Sequence, residues 1–121
     1  MRPPGVEEVM SAPPHSIDEM STGAETLRKM RENGTKMILV TSKGAPKGVL
    51  EAWKITSLDE DKPIKYLELS DFRTVPLGTM ITDLTPWPGN LRAVYVVGQN
   101  NQLVGVVTQY DLRKGYWSSL A

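Results

Sequence analysis

The chain has 121 residues, of which 40% are hydrophobic and 23% charged, and its 14 basic side chains balance its 14 acidic ones. That length suits one compact domain or two half-size units that pack on each other, because a unit of roughly 60 residues buries too little surface alone. The neutral, scattered charge provides no field to draw nucleic acid or an anionic membrane, so neither is expected as a partner.

The absence of cysteine removes disulfides, thiolate nucleophiles and most structural zinc sites. No run approaches the ~18 apolar residues of a membrane span. Met1-Arg2-Pro3-Pro4-Gly5 lacks the apolar stretch of a signal peptide and reads as a flexible lead-in over residues 1–5. A cytoplasmic protein is expected.

After an opening segment, Val6 to Met10, Ser16-Ile17 marks a short strand. Thr22-Gly23-Ala24-Glu25 then has the spacing of a capping box. Ala24, Leu27 and Met30 follow three apart on one helix face, and Asn33-Gly34 supplies the stop. Met37 to Val40 and Val49-Leu50, divided by a polar turn, read as two buried strands. A second helix is expected from Glu51 to about Leu58.

The same order returns downstream. Met37 to Leu50 aligns without a gap on Val94 to Val107 at an offset of 57, Gly48 falling on Gly105. Upstream the match slips by one residue: Ser16-Ile17 falls on Thr74-Val75, and Val6 to Met10 falls loosely on Ile64 to Glu68. Thr79 to Leu84 is a short helix candidate ended by Pro86-Trp87-Pro88-Gly89, and a last helix is expected from Gln109 to about Lys114. The fold class is mixed α/β, with two pseudo-symmetric repeats. The first spans residues 6–62 and the second 63–117, and a short tail covers 118–121. Each repeat is expected to be a small mixed sheet flanked by two helices.

Gly105-Val106-Val107-Thr108-Gln109-Tyr110-Asp111 carries the chemistry, because it joins the last strand to the last helix. A helix N-terminus offers unpartnered N–H groups and a positive dipole end to a phosphate. Thr108 adds a hydroxyl donor, Asp111 can accept from two ribose hydroxyls, and Gly105 leaves room for a ligand to approach the strand. Thr108 and Asp111 also form an approximate capping box, worth about 1 kcal/mol with no ligand present. On these seven residues alone the two readings stand level.

Strand, helix, strand, strand, helix, repeated and closed by Gly-apolar-x-Thr-x-x-Asp, resembles the CBS domain family, two of whose domains in tandem form a Bateman module. The resemblance covers about Val6 to Tyr116. Val6 to Pro13 looks like the usual opening of such a pair, and Leu91 to Val97 looks like the central strand, with Tyr95 where a proline is frequent. The resemblance implies that Asp111 holds a ribose and Thr108 a phosphate. It also implies that Thr74, Val75, Arg92, Ala93 and Val94 line a largely apolar pocket for adenine. The implied ligand is an adenosine compound (AMP, ADP, ATP or S-adenosylmethionine) bound by a non-catalytic regulatory module, with no separate cofactor. A homodimer and a regulated partner protein or fused domain are the implied associations. The alternative is a constitutive dimerisation module that binds no nucleotide.

The first copy departs from the motif. Glu51 stands where Thr108 does and Lys54 where Asp111 does. A carboxylate ~4 Å from a phosphate costs about 4 kcal/mol at an effective dielectric near 20, and a lysine cannot accept ribose hydroxyls. One nucleotide site per chain is therefore expected, in the second copy.

Other conspicuous residues carry less. His15 is the only histidine and reads as a loop residue, since a metal there would need carboxylates alone. Asp18-Glu19 and Asp59-Glu60-Asp61 read as solvated loops. No serine, histidine and acid fall in a nucleophile-elbow pattern, so no enzyme is indicated. Trp53, Trp87 and Trp117 read as core, rim or self-association residues.

Overall fold

The computed structural model describes residues 3–11, 15–84, 87, 91–99 and 102–120, the side chains of Arg92 and residues 115–120 excepted. The chain divides into two compact units: residues 15–70, and residues 71–121 together with residues 1–14. Each is built on a three-stranded mixed sheet.

In the unit of residues 15–70, β1 (Ser16–Asp18) pairs parallel with β2 (Met37–Ser42), which pairs antiparallel with β3 (Ala45–Glu51). Lys43 (φ 52) and Gly44 (φ 82) form the two-residue turn between β2 and β3. Two successive positive φ values give the primed turn whose twist matches the strands it joins. The α-helix that crosses from β1 to β2, Gly23–Glu32, starts on the expected capping box. Glu25 N donates to Thr22 Oγ1 at 3.2 Å and Thr22 N donates to Glu25 Oε1 at 3.2 Å. It ends at Asn33, with Gly34 left-handed at φ +63.

Its buried face differs from the one expected. Gly23, Thr26 and Met30 are buried, while Ala24 is exposed and Leu27 half-buried. Glycine is required at position 23, because a Cβ there would lie 2.5 Å from the Asp59 carbonyl oxygen. Met30, Ile38, Val40, Leu50, Ile55 and Ile64 form the core of this unit.

The helix expected from Glu51 to Leu58 is not formed. Two 3₁₀ turns replace it, Ala52–Lys54 and Ser57–Asp59. Ile55 between them is extended and buried. Thr56 starts the second turn, its N and Oγ1 donating to Asp59 Oδ2 at 2.8 and 2.9 Å. A side chain that captures the backbone locally competes with helix continuation.

In the other unit, β4 (Asp71–Pro76) pairs parallel with β5 (Leu91–Val97), which pairs antiparallel with β6 (Leu103–Val107). The helix candidate at 79–84 is a 3₁₀ turn, Ile81–Leu84, with both terminal residues buried. The last helix, Gln109–Leu120, is longer than expected. A single α-turn, Val6–Val9, completes the unit, and Val6 is fully buried beside Val75, Ile81, Val94, Val96 and Val107. In chain order the helices are α1 (Val6–Val9), α2 (Gly23–Glu32) and α3 (Gln109–Leu120).

The pairing registers correct one feature of the sequence alignment. Val40 pairs with Gly48, and Val96 with Gly105, so Val40 matches Val96 at an offset of 56. The gapless offset of 57 therefore holds for β3 and β6 but not for the strand before the turn, which is one residue longer in the second copy. The upstream match holds: Ile17 pairs with Val40 and Val75 with Val96.

The repeat in sequence also differs from the unit in space. Residues 6–11, which open the first repeat, pack with the second unit. Ser11 bridges Val106 there, as Ser70 bridges Val49 in the other unit. Val6 and Ile64, aligned in the sequence, are each fully buried in a different core.

Candidate functional site

The β6–α3 junction follows from its own sequence. Val107 ends the strand and is fully buried; Thr108 then turns the chain, and α3 begins at Gln109. Asp111 N donates to Thr108 Oγ1 at 3.3 Å, while Thr108 N and Thr108 Oγ1 donate to Asp111 Oδ2 at 2.9 and 3.0 Å. Leu112, buried, anchors the first turn. The capping box is complete, and both side chains are half-buried at the mouth of a helix of 12 residues. An incoming phosphate would compete for the Thr108 hydroxyl and a ribose for the Asp111 carboxylate.

The registers place the remaining candidates. Val107 pairs with Val94, and Val94 with Arg73. One step towards the junction, Ala93 pairs with Phe72. Ala93 and Val94 therefore lie beside Thr108, as does Arg92 by its place in the strand. Thr74 and Val75 sit deeper, opposite Tyr95 and Val96, and Val75 points into the core. Phe72 is nearer the junction than either, and its ring meets Tyr95 edge-on at 5.8 Å. Only the ladder reveals this, since Phe72 falls between the two aligned stretches, Ile64 to Glu68 and Thr74-Val75. Burial pushes the Tyr95 hydroxyl pKa up to about 12.

Gly105 has another tenant. A Cβ there would lie 2.3 Å from Met10 Sδ and 3.0 Å from the Ser11 carbonyl oxygen. The space expected for a ligand is thus filled by the N-terminal segment. Gly48 does the same in the first copy, where Leu69 Cβ would be 2.7 Å away.

At the matching place in the first copy, Glu51 ends β3 and accepts from Ser70 Oγ at 3.4 Å. Lys54 reaches the Glu68 carbonyl at 3.5 Å and stands 5.6 Å from the Trp53 ring. Only a three-residue 3₁₀ turn follows β3, so no helix dipole faces that position. Trp53 is 72% exposed, whereas Trp87 is half-buried and donates Nε1 to the Leu91 carbonyl at 2.7 Å. The Trp117 side chain lies outside the described residues. His15 is an exposed loop residue. Among the described residues no three metal-ligating side chains cluster, and no helix is long and apolar enough to cross a membrane.

A family model of the CBS domain matches residues 6–61 and 89–118. The chain belongs to the CBS domain family. No curated protein sequence matches it. Among solved structures, the hemolysin-like CBS protein of Oenococcus oeni PSU is 17% identical, with a TM-score of 0.79 over 93% of this chain and 89% of that one. The CBS domain pair/ACT domain protein of Thermotoga maritima is 24% identical, with a TM-score of 0.72 over 98% and 100%. CBSX2, solved in complex with AMP, is 16% identical, with a TM-score of 0.71 over 97% and 98%. These likenesses show a tandem CBS fold.

Proposed function

We propose that this CBS pair is a non-catalytic regulatory module that binds an adenosine-containing ligand at the β6–α3 junction of its second repeat. One observation carries the reading: Thr108 and Asp111 stand together at the N-terminus of a full α-helix, beside Ala93 and Val94. The first repeat has neither these side chains nor that helix. Phosphate on Thr108 and the free N–H groups of α3, ribose on Asp111, and adenine against the start of β5 would use all three features. That CBSX2 was solved with AMP makes AMP the first ligand to try.

A second reading has its own support. Thr56 and Asp59 make the same pair of bonds with no such setting around them. Thr108 and Asp111 would then be a cap only, and the chain a constitutive dimerisation module. Trp53 and Tyr66, 72% and 78% exposed, would serve a self-association surface. Thermal unfolding with AMP, ADP, ATP, S-adenosylmethionine and GTP decides between them. A ligand at 100 times its dissociation constant stabilises by about 2.7 kcal/mol. A shift restricted to adenine compounds supports the sensor, and no shift with any of them leaves the scaffold.

A further inference from the structure

Residues 4–11 form a strap over the two elements whose junction makes the site. β6 is the edge strand of its sheet, and the strap covers its outer side: Ser11 N donates to the Val106 carbonyl at 2.9 Å and Val106 N donates back at 3.4 Å. Val106 is two residues from Thr108. Met10 fills the space above Gly105, and α1 packs on α3, the helix that begins after Thr108. At its other end the strap is tied by Val6 N to the Thr79 carbonyl at 2.8 Å, by Ile81 N to the Pro4 carbonyl at 3.1 Å and by Gly78 N to Glu7 Oε2 at 3.1 Å. The strap thus touches both the strand and the helix that meet at the candidate site.

We propose that docking of this strap and occupancy of the Thr108–Asp111 junction are coupled, each stabilising the other. The proposal rests on the adenosine-site reading. A ligand that takes the Thr108 hydroxyl and the Asp111 carboxylate fixes the angle between β6 and α3, which is the angle the strap needs in order to touch both. The strap itself is held by backbone bonds, the Glu7 carboxylate, fully buried Val6 and the half-buried Val9 and Met10, against the ordering of its whole length. Segments near a chain end open locally at a lower cost than the core and respond to small biases. A force or a modification applied to the N-terminal segment would then be read at the nucleotide site, and the nucleotide would be read at the segment. By linkage the two factors are equal.

The test uses the full chain with AMP as the probe. Amide exchange at Ser11 and Val106 is followed with and without AMP, and AMP affinity is measured for wild type, Ser11→Pro and Met10→Ala. Ser11→Pro removes the donor to Val106; Met10→Ala removes only the packing over Gly105 and serves if the first variant fails to fold. Coupling at the lower end of the ordinary range predicts about fivefold slower exchange at both amides and a similar loss of affinity. Unchanged exchange together with wild-type affinity in the variants overturns the coupling and leaves the site intact. Absence of AMP binding to wild type overturns both.

Discussion

Replacing Asp111 by alanine separates its observed capping bonds from the proposed ribose binding, because the structure holds an internal control. Asp111 Oδ2 accepts from Thr108 N and Oγ1 at 2.9 and 3.0 Å, and Asp59 Oδ2 accepts from Thr56 N and Oγ1 at 2.8 and 2.9 Å. In Asp111→Ala the Asp111→Thr108 half of the cap, N–H to Oγ1 at 3.3 Å, remains available to the alanine N–H. Only the reciprocal half is lost, so the cost falls at about 0.5–1 kcal/mol, or roughly 2–5 °C in Tm. Ligand binding responds on another scale. Two charge-assisted ribose bonds at about 1.5–3 kcal/mol each make a hundredfold loss of affinity the minimum expected.

AMP at 100 times the wild-type Kd then stands near the variant's Kd, and its stabilisation falls from about 2.7 to about 0.4 kcal/mol. Thermal unfolding of wild type, Asp111→Ala and Asp59→Ala with and without AMP reads both effects. Asp59→Ala should lower the ligand-free Tm and keep the full AMP shift. An undiminished AMP shift in Asp111→Ala would refute the assignment, and so would an equal loss in Asp59→Ala.

Tyr95 predicts an alkaline limb. Its folded pKa is raised by burial from 10.0 to about 12, so its contribution is whole below pH 10 and is lost as pH rises through 12, by roughly 2–3 kcal/mol. Tyr95→Phe should flatten that limb, as urea midpoints across the range would show; an unchanged limb assigns it to other groups. Gly23→Ala should cost about 1–3 kcal/mol, since its Cβ would press the Asp59 carbonyl at 2.5 Å. A neutral result in urea denaturation would mean that the 57–59 turn does not pack on α2. Installing the motif in the first repeat, Glu51→Thr with Lys54→Asp, should create no second AMP site, because no α-helix follows β3. Two sites by calorimetry would show that the side chains suffice without the helix.

What the sequence determined by itself was local. Thr22 with Glu25 and Thr108 with Asp111 were legible as caps because their bonds close over three residues, whatever the rest of the chain does. The buried strands were legible from their apolar runs. Tertiary structure decided whatever needs a distant partner. Ile55 reaches the core and Thr56 finds Asp59, so the Glu51–Leu58 helix gives way to two turns. Gly23 and Thr26 rather than Ala24 face inward, because the 57–59 turn must approach the helix. Val40 rather than Leu39 matches Val96, since a longer turn in one hairpin leaves the apolar pattern of both strands unchanged. Gly105 admits Met10 instead of a ligand, because the opening segment of one repeat completes the sheet of the other; no spacing within either copy encodes which edge it covers.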